Sequence, residues 1–434
     1  MKFISTRDSS NIVNFEKAVI DCLPADGGFF VPKDPADLRR WILYTNDHTP
    51  FSSIAGSLTS ACINDEFSPI ICETISTRAF TFEPKIKKLS ERLFALELCN
   101  TPTGSHRDFG ISYLVNCLET LLTMGGKNAI FLDVSMGELG ASLARAMRGK
   151  KHLKAVLVYP KGSPRGLEES DFIWNGGNIY PVEVDCNIAA CHDMVREVFA
   201  DRAFVESLNL TVANTANIGR LMPQAFFYPF AFSRLKSQVC GDIFYAMAPG
   251  NYSNLVAGLY SWQLALPVSG FICPTTDELK LDPLGNCCIM DEMVDFKNRE
   301  PGDYATPSNL ERLEKVFKAK SLMLKHFLYP ADISNSERDD ACRELFMKFN
   351  IYADADTSAA YAAVLARKEL VEEDDACVVL VIRDHAALSC DYIKHTLGEM
   401  PEIPDFIKKV LQPVAINRPC IKSVDELKQI IRSL

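Results

Sequence analysis

The order of apolar segments along these 434 residues predicts an α/β protein built from doubly wound sheets. Three observations carry that expectation. Short, nearly continuous apolar runs recur, as strands buried on both faces require. Longer segments with apolar residues at helical spacing separate them. Several run-to-helix junctions hold Gly, Asn or Ser, which suit tight turns and helix N-termini. Strands separated by helices imply right-handed crossovers between parallel neighbours.

The elements follow in chain order. Ile111, Leu114, Val115, Leu118, Leu121 and Leu122 share one helical face over residues 111–122, and Met124-Gly125-Gly126 stops that helix. Residues 129–134 form a strand, and Gly137 and Gly140 open a helix that runs through Met147. The next strand is 155–159, ended by Pro160-Lys161-Gly162. Strand 179–184, helix 188–199 and strand 210–213 continue the rhythm. A long helix over 218–235 contains Pro223 and Pro229, which predict kinks. Strand 243–248, helix 255–265 and strand 268–273 follow. Residues 275–310, rich in Pro, Gly, Asn and acids, read as a long connection between lobes or a site-covering loop. A helix near 358–369 and a strand over 376–382 resume the alternation, with Glu372-Glu373-Asp374-Asp375 a solvated turn between them.

Composition narrows the function. The chain is long enough for two or three domains, and 47% hydrophobic with 24% charged residues is ordinary globular usage. A net charge of −10 argues against nucleic acid or an anionic membrane as partner, because phosphate backbones need a basic stripe. A local positive site for a small anion remains compatible with it. No apolar stretch reaches the ~18 residues of a membrane span, and no apolar segment follows the N-terminus as in a signal peptide. Fifteen scattered cysteines without a C-x-x-C pair fit buried thiols in a reducing cytoplasm, with neither a disulfide framework nor zinc spacing. The expected location is therefore cytoplasmic.

Several motifs carry chemistry. Residues 101–110 read Thr101-Pro102-Thr103-Gly104-Ser105-His106-Arg107-Asp108-Phe109-Gly110. Ala248-Pro249-Gly250-Asn251-Tyr252-Ser253-Asn254-Leu255 joins a strand to a helix, where backbone N–H groups and the helix N-terminus suit a phosphate. Asn214 and Asn217 stand at a strand end before a helix, able to cap it or face the cleft, and Arg220 and Gln224 are one helical turn apart. Near the N-terminus come Ser5-Thr6-Arg7, Ala18-Val19 and Asp26-Gly27-Gly28, the last a tight turn into a strand with a structural role.

Together these segments resemble threonine synthases along the whole chain. The family reads G-P-T-x-A-F-K-D-F-G at 101–110, S-G-N-F-G-N/D at the phosphate loop and N-S-x-N-x-x-R-x-x-x-Q from Asn214. The resemblance implies two doubly wound lobes of pyridoxal phosphate (PLP) fold type II, the tryptophan synthase β-like architecture, after an N-terminal threonine-synthase-type domain. The boundaries read as 1–97, 98–213 and 214–434. It implies PLP as cofactor and conversion of O-phosphohomoserine and water to threonine and phosphate. Cofactor contacts fall on Gly250, Asn251, Tyr252, Ser253, Asn254 and Arg383, and substrate contacts on Ser135, Gly137, Glu138, Asn214, Asn217 and Arg220.

The chain departs from the family at the centre of the site. The lysine that holds PLP as a Schiff base is Arg107 here, and a guanidinium stays protonated and cannot form an imine. Where the family has T-S-G-D-T-G, residues 135–140 read Ser-Met-Gly-Glu-Leu-Gly. The family's T-A-H-P becomes Arg383-Asp384-His385-Ala386, and the His of D-P-H-T-A becomes Asp356. Lys161, in Tyr159-Pro160-Lys161-Gly162, begins a different loop and is badly placed to replace position 107. Two roles are open to Arg107: gripping an anion beside the Gly250–Asn254 loop, or a structural ion pair with Asp108 or Glu138. The expected function is a threonine synthase homologue with impaired catalysis. PLP binds at best non-covalently, or a small phosphorylated amino-acid-like ligand takes the cleft, in a monomer or homodimer. The alternatives are an active PLP lyase with altered chemistry and a non-catalytic ligand-binding or regulatory protein.

Overall fold

The computed structural model describes residues 1–63, 65–289, 294–317, 326–372 and 375–434. Two parallel sheets dominate it. The smaller has four parallel strands, in the order Ile179–Val184, Leu153–Pro160, Ala129–Val134, Leu210–Thr211. The larger has six, in the order Leu328–Ala331, Gly270–Pro274, Ile243–Ala246, Cys377–Ile382, Leu93–Glu97, Lys85–Lys88; only the last pairing is antiparallel. The central strand Cys377–Ile382 reads Cys-Val-Val-Leu-Val-Ile and is buried throughout, as a strand covered on both faces must be.

The pairing corrects the expected boundaries. Residues 85–97, assigned from sequence to the N-terminal unit, are the last two strands of the large sheet. The N-terminal unit is instead a small sheet, Phe3–Ser5 with Ile12–Val13 and Phe30–Pro32, followed by the helices Phe51–Ile63 and Pro69–Ala79. The chain's end also crosses back. Pro413 and Ile421 bridge to Arg165 and Val184 of the small-sheet lobe, and Val424–Arg432 packs on Ile188–Ala200. A boundary at 213/214 therefore does not divide the lobes cleanly.

The expected long helix over 218–235 is three pieces: Ile218–Leu221, a 3₁₀ segment Met222–Phe226 and Phe227–Leu235. Pro223 sits in the first turn of the 3₁₀ piece, and Pro229 in the first turn of the last helix. An N–H missing from a first turn costs no hydrogen bond there. Phe226, Phe227, Phe230 and Phe232 are all buried, as core. Phe109 meets Phe227 at 4.9 Å and Phe51 at 5.3 Å, both edge to face, so this aromatic cluster seats the start of the helix Arg107–Gly125. Within the 275–310 connection lie a hairpin, Leu279–Leu281 with Cys287–Ile289, and a 3₁₀ turn Phe296–Asn298. The acidic turn expected at 372–375 falls partly outside the described residues, at 373 and 374. All fifteen cysteines are free thiols, nine of them buried. Among the described residues no helix is long and apolar enough to cross a membrane.

Candidate functional site

Four loops leaving the carboxyl ends of parallel strands converge between the sheets, where open α/β folds place their ligands. They follow Ala129–Val134, Leu210–Thr211, Ile243–Ala246 and Cys377–Ile382. The helix Arg107–Gly125 begins beside them, and Arg107 is its first residue.

Arg107 does not pair as the sequence suggested. Its Nη1 lies 3.1 Å from Asp384 Oδ2 and donates to Ser105 Oγ at 2.9 Å. Asp384 also accepts from Ser105 Oγ at 2.7 Å, and His106 Nδ1 lies 3.0 Å from its Oδ1. Backbone bonds from His106 N to Arg383 O and from His385 N to Gly104 O stitch the two loops together. The expected partners are engaged elsewhere. Asp108 accepts from Thr103 N, Thr103 Oγ1 and Ser142 Oγ, and Glu138 pairs with Arg165 at 3.3 Å. Burial alone would raise the Asp384 carboxyl, but His106, Arg107 and Ser105 hold it well below the usual range. Burial pulls the His106 imidazole down to about 4 against the attraction of Asp384.

Arg383 is the second cation. It pairs with Asp356, and its guanidinium lies over the phosphate-type loop: a Cβ at Gly250 would stand 3.1 Å from Arg383 Nη1. Arg383 and Asp356, read from sequence as separate departures from the threonine synthase pattern, are thus partners in space. So are Arg107 and Asp384.

The 249–254 loop is firmly held. Gly250 and Tyr252 both have positive φ, +53° and +64°, which suits the glycine and strains the tyrosine. Tyr252 makes no side-chain cap on the helix Ser253–Gln263; its hydroxyl reaches away to Thr276 and Glu278 at 2.6 and 2.8 Å. Asn251 Nδ2 donates to Thr215 Oγ1 at 2.8 Å, and its Oδ1 accepts from Ser253 N. Asn254 is tied to Gln224 and Tyr228. What this loop offers a ligand is backbone N–H groups, the helix N-terminus and Arg383, rather than the side chains of Tyr252 or Asn254.

The remaining expected site residues divide. Ser135 Oγ accepts from Gly137 N and Gly140 N, both at 3.0 Å, and so shapes its own turn. Gly137 makes room for Arg165: a Cβ there would lie 2.2 Å from Arg165 Nε. Asn214 Nδ2 donates to Tyr304 O at 2.7 Å and to Asp133 Oδ1 at 3.2 Å. Asn217 is fully buried; its Oδ1 caps Gly219 N, and its Nδ2 donates to Val19 O, Thr211 Oγ1 and Val212 O. Asn217 therefore acts inside the fold.

Arg220 differs from these. It is 4% exposed, and its Nη1 is buried without a hydrogen-bond partner. It packs against the first turn of Arg107–Gly125, where a Cβ at Gly110 would fall 1.8 Å from Arg220 Nη1. Burial, then the charge of Arg107, lowers the Arg220 guanidinium to about 9, with Asp108, Asp384 and Asp133 acting the other way. Asp133 is itself pushed up to about 7 by burial, although Ala213 N and Asn214 donate to it. The contacts of Ser105 and His106 with Asp384 were not legible in the sequence. The one available signal was that an Asp follows Arg383 where the threonine synthase pattern has Ala.

Whether PLP fits can be judged at its two ends. The phosphate end fits a glycine-bearing strand–loop–helix junction with Arg383 against it. The aldehyde end does not, because position 107 carries a guanidinium fixed to Asp384 and Ser105. Lys161 lies on the surface, 3.6 Å from Asp185.

The chain belongs to the pyridoxal-phosphate dependent enzyme family, whose model matches residues 74–382. Within it the chain is a threonine synthase homologue, and the threonine synthase N-terminus model matches residues 2–80. It is 26% identical to threonine synthase of Serratia marcescens over 100% of both chains. It is 29% identical to that of Escherichia coli over 80% of each. The crystal structure of the Escherichia coli enzyme superposes with a TM-score of 0.79 at 25% identity, covering 100% of both chains. A PLP-bound threonine synthase from Brucella melitensis shares the fold with a TM-score of 0.81 at 18% identity, over 100% of this chain and 99% of that one.

Proposed function

We propose that this threonine synthase homologue has lost covalent PLP catalysis and uses its cleft to bind a small phosphorylated amino-acid-like ligand. The observation that carries this reading is the pairing of Arg107 with Asp384 at the position where the threonine synthase pattern has lysine. An arginine there cannot form an imine and cannot shuttle protons at neutral pH. The substitutions around it form charge-matched pairs, Arg107 with Asp384 and Arg383 with Asp356, which favours a rebuilt site over a decayed one.

The ligand class follows from the cations. Arg220 has a buried guanidinium nitrogen with no protein acceptor, and an anionic oxygen would satisfy it. Arg383 and the helix N-terminus at Ser253 suit a phosphate. PLP, when bound, would supply an electron sink; here only its phosphate has a matching receptor, so it binds reversibly. The family reaction, from O-phosphohomoserine to threonine, is absent or severely reduced in this chain.

The test has two parts. Isothermal titration with O-phosphohomoserine should show one-site binding that Arg220→Met weakens at least ~10-fold, as loss of a charge-assisted bond predicts. Threonine formation with PLP present should be undetectable in the wild type. Threonine release at enzymatic turnover would establish the competing reading, an active lyase with altered chemistry.

A further inference from the structure

A second cavity, of about 260 Å³, lies between the N-terminal unit and the small-sheet lobe. Arg78 and Phe82 of the N-terminal unit line it together with Arg145, Arg148 and Lys150 of the small-sheet lobe, and Asp108 is among the lining residues. Its lining includes none of Arg107, Arg220, Arg383, Asp384 or the 249–254 loop, so it is distinct from the cleft.

The charge of this cavity runs against that of the chain. Four cations line it against one carboxylate, in a protein of net charge −10. Arg148 is answered by Asp171 at 2.7 Å and Glu168 at 3.1 Å. Among the described residues Arg78, Arg145 and Lys150 make no ion pair. Arg145 Nη1 donates to Ala141 O at 3.1 Å, and Lys150 Nζ to Asn116 Oδ1 at 2.7 Å, both neutral acceptors. Asp108 already accepts three bonds, from Thr103 N, Thr103 Oγ1 and Ser142 Oγ. Burial lowers both Arg145 and Lys150; Asp108 and Glu119 respectively act the other way, and neighbouring cations add to the lowering, Arg148 for the first and Arg78 for the second. Like charges gathered in a partly desolvated cavity repel unless an anion answers them.

We propose that this cavity binds a small, multiply charged oxyanion that bridges Arg78 of the N-terminal unit to Arg145 and Lys150 of the small-sheet lobe. The recognised chemistry is a compact group of two or more negative oxygens, which planar guanidinium forks and an ammonium suit. Phosphates and polycarboxylates both present it. Asp108, in the cavity lining, is the next residue after Arg107, so an occupant would also brace the helix start that positions Arg107.

Titration calorimetry of the full-length protein with inorganic pyrophosphate, repeated with citrate, tests this. The expected result is a pyrophosphate-binding event, separate from any in the cleft, that Arg78→Ala and Lys150→Gln weaken about tenfold or more, as loss of one charge-assisted bond predicts. Arg383→Ala, which removes the cleft's own phosphate receptor, should leave in place the binding event that Arg78→Ala weakens. Citrate binding with the same variant pattern would assign the site to oxyanions generally; pyrophosphate alone would assign it to phosphates. Arg78 is exposed, so Arg78→Ala should fold, and thermal unfolding provides a second readout: pyrophosphate should stabilise the wild type but not that variant. Failure of both anions to bind, or binding unmoved by Arg78→Ala and Lys150→Gln, would overturn the proposal. So would binding lost only in Arg383→Ala, which would place the anion in the cleft.

Discussion

Arg107 Nη1 and Asp384 Oδ2 stand 3.1 Å apart, joining the first residue of a helix to the loop after the central strand of the large sheet. The pair closes across 277 residues of chain and gathers Ser105 and His106 on the same carboxylate. Removing that carboxylate should be felt by all three donors. Asp384→Ala is expected to destabilise the fold by about 1–3 kcal/mol, less than for a fully buried pair because the Arg107 side chain is 37% exposed. Urea unfolding measures it. Arg107→Ala alone should cost less, since Asp384 keeps Ser105 and His106.

The same cluster sets a pH dependence. His106 has its pKa lowered from 6.5 to about 4 by burial, so between those values the unfolded chain takes up a proton that the folded chain refuses. The contribution of His106 should therefore fall as pH drops from ~6.5 towards ~4, by up to ~3 kcal/mol at ~1.4 kcal/mol per pKa unit, while Asp133, raised to about 7, contributes in the opposite direction over the same range. Asp384 acts in a lower window. Its folded pKa is depressed, so its contribution is complete above the usual carboxylate range and is lost only as pH falls below it. Unfolding midpoints of the wild type and His106→Gln, compared across pH 4–8, isolate this contribution from that of Asp133: relative to the variant, the wild type should lose stability as pH falls from ~6.5 to ~4.

Gly110 should resist the change that helix propensity favours. Alanine is ordinarily better than glycine inside a helix by ~1 kcal/mol. Here the added Cβ would fall 1.8 Å from Arg220 Nη1 and 2.5 Å from Arg220 O, and the backbone oxygen cannot swing aside. Gly110→Ala is expected to lower stability by about 1–3 kcal/mol, the usual range for overpacking. Thermal unfolding with an unchanged or raised midpoint would show that Arg220 sits elsewhere.

Arg220 should show a trade between stability and binding. A buried guanidinium with an unsatisfied nitrogen disfavours the ligand-free fold. Arg220→Met is expected to raise ligand-free stability by ~1–2 kcal/mol while weakening O-phosphohomoserine binding, in paired denaturation and calorimetry experiments.

The sheets were legible because their strands are apolar on both faces: strands 129–134 and 179–184 lie where periodicity placed them. The boundary at 97 was not, because Lys85–Lys88 is a polar edge strand whose partner is known only from the tertiary pairing. The site residues were located by motif, but their pairings were not. Nothing local in the sequence says that Arg383 will meet Asp356 or Arg107 will meet Asp384. Asn217 and Tyr252 show the converse, since both stand in cleft motifs while their side chains serve the fold.

On the proposed reading, position 107 ends covalent PLP chemistry in this chain. Titration of the purified protein with PLP, followed by visible absorbance, borohydride reduction and mass mapping of peptides, tests it most directly. The predicted result is no pyridoxyl-modified lysine, with at most reversible binding that Arg383→Ala weakens. A stoichiometric adduct on one named lysine would contradict it and restore a working lyase.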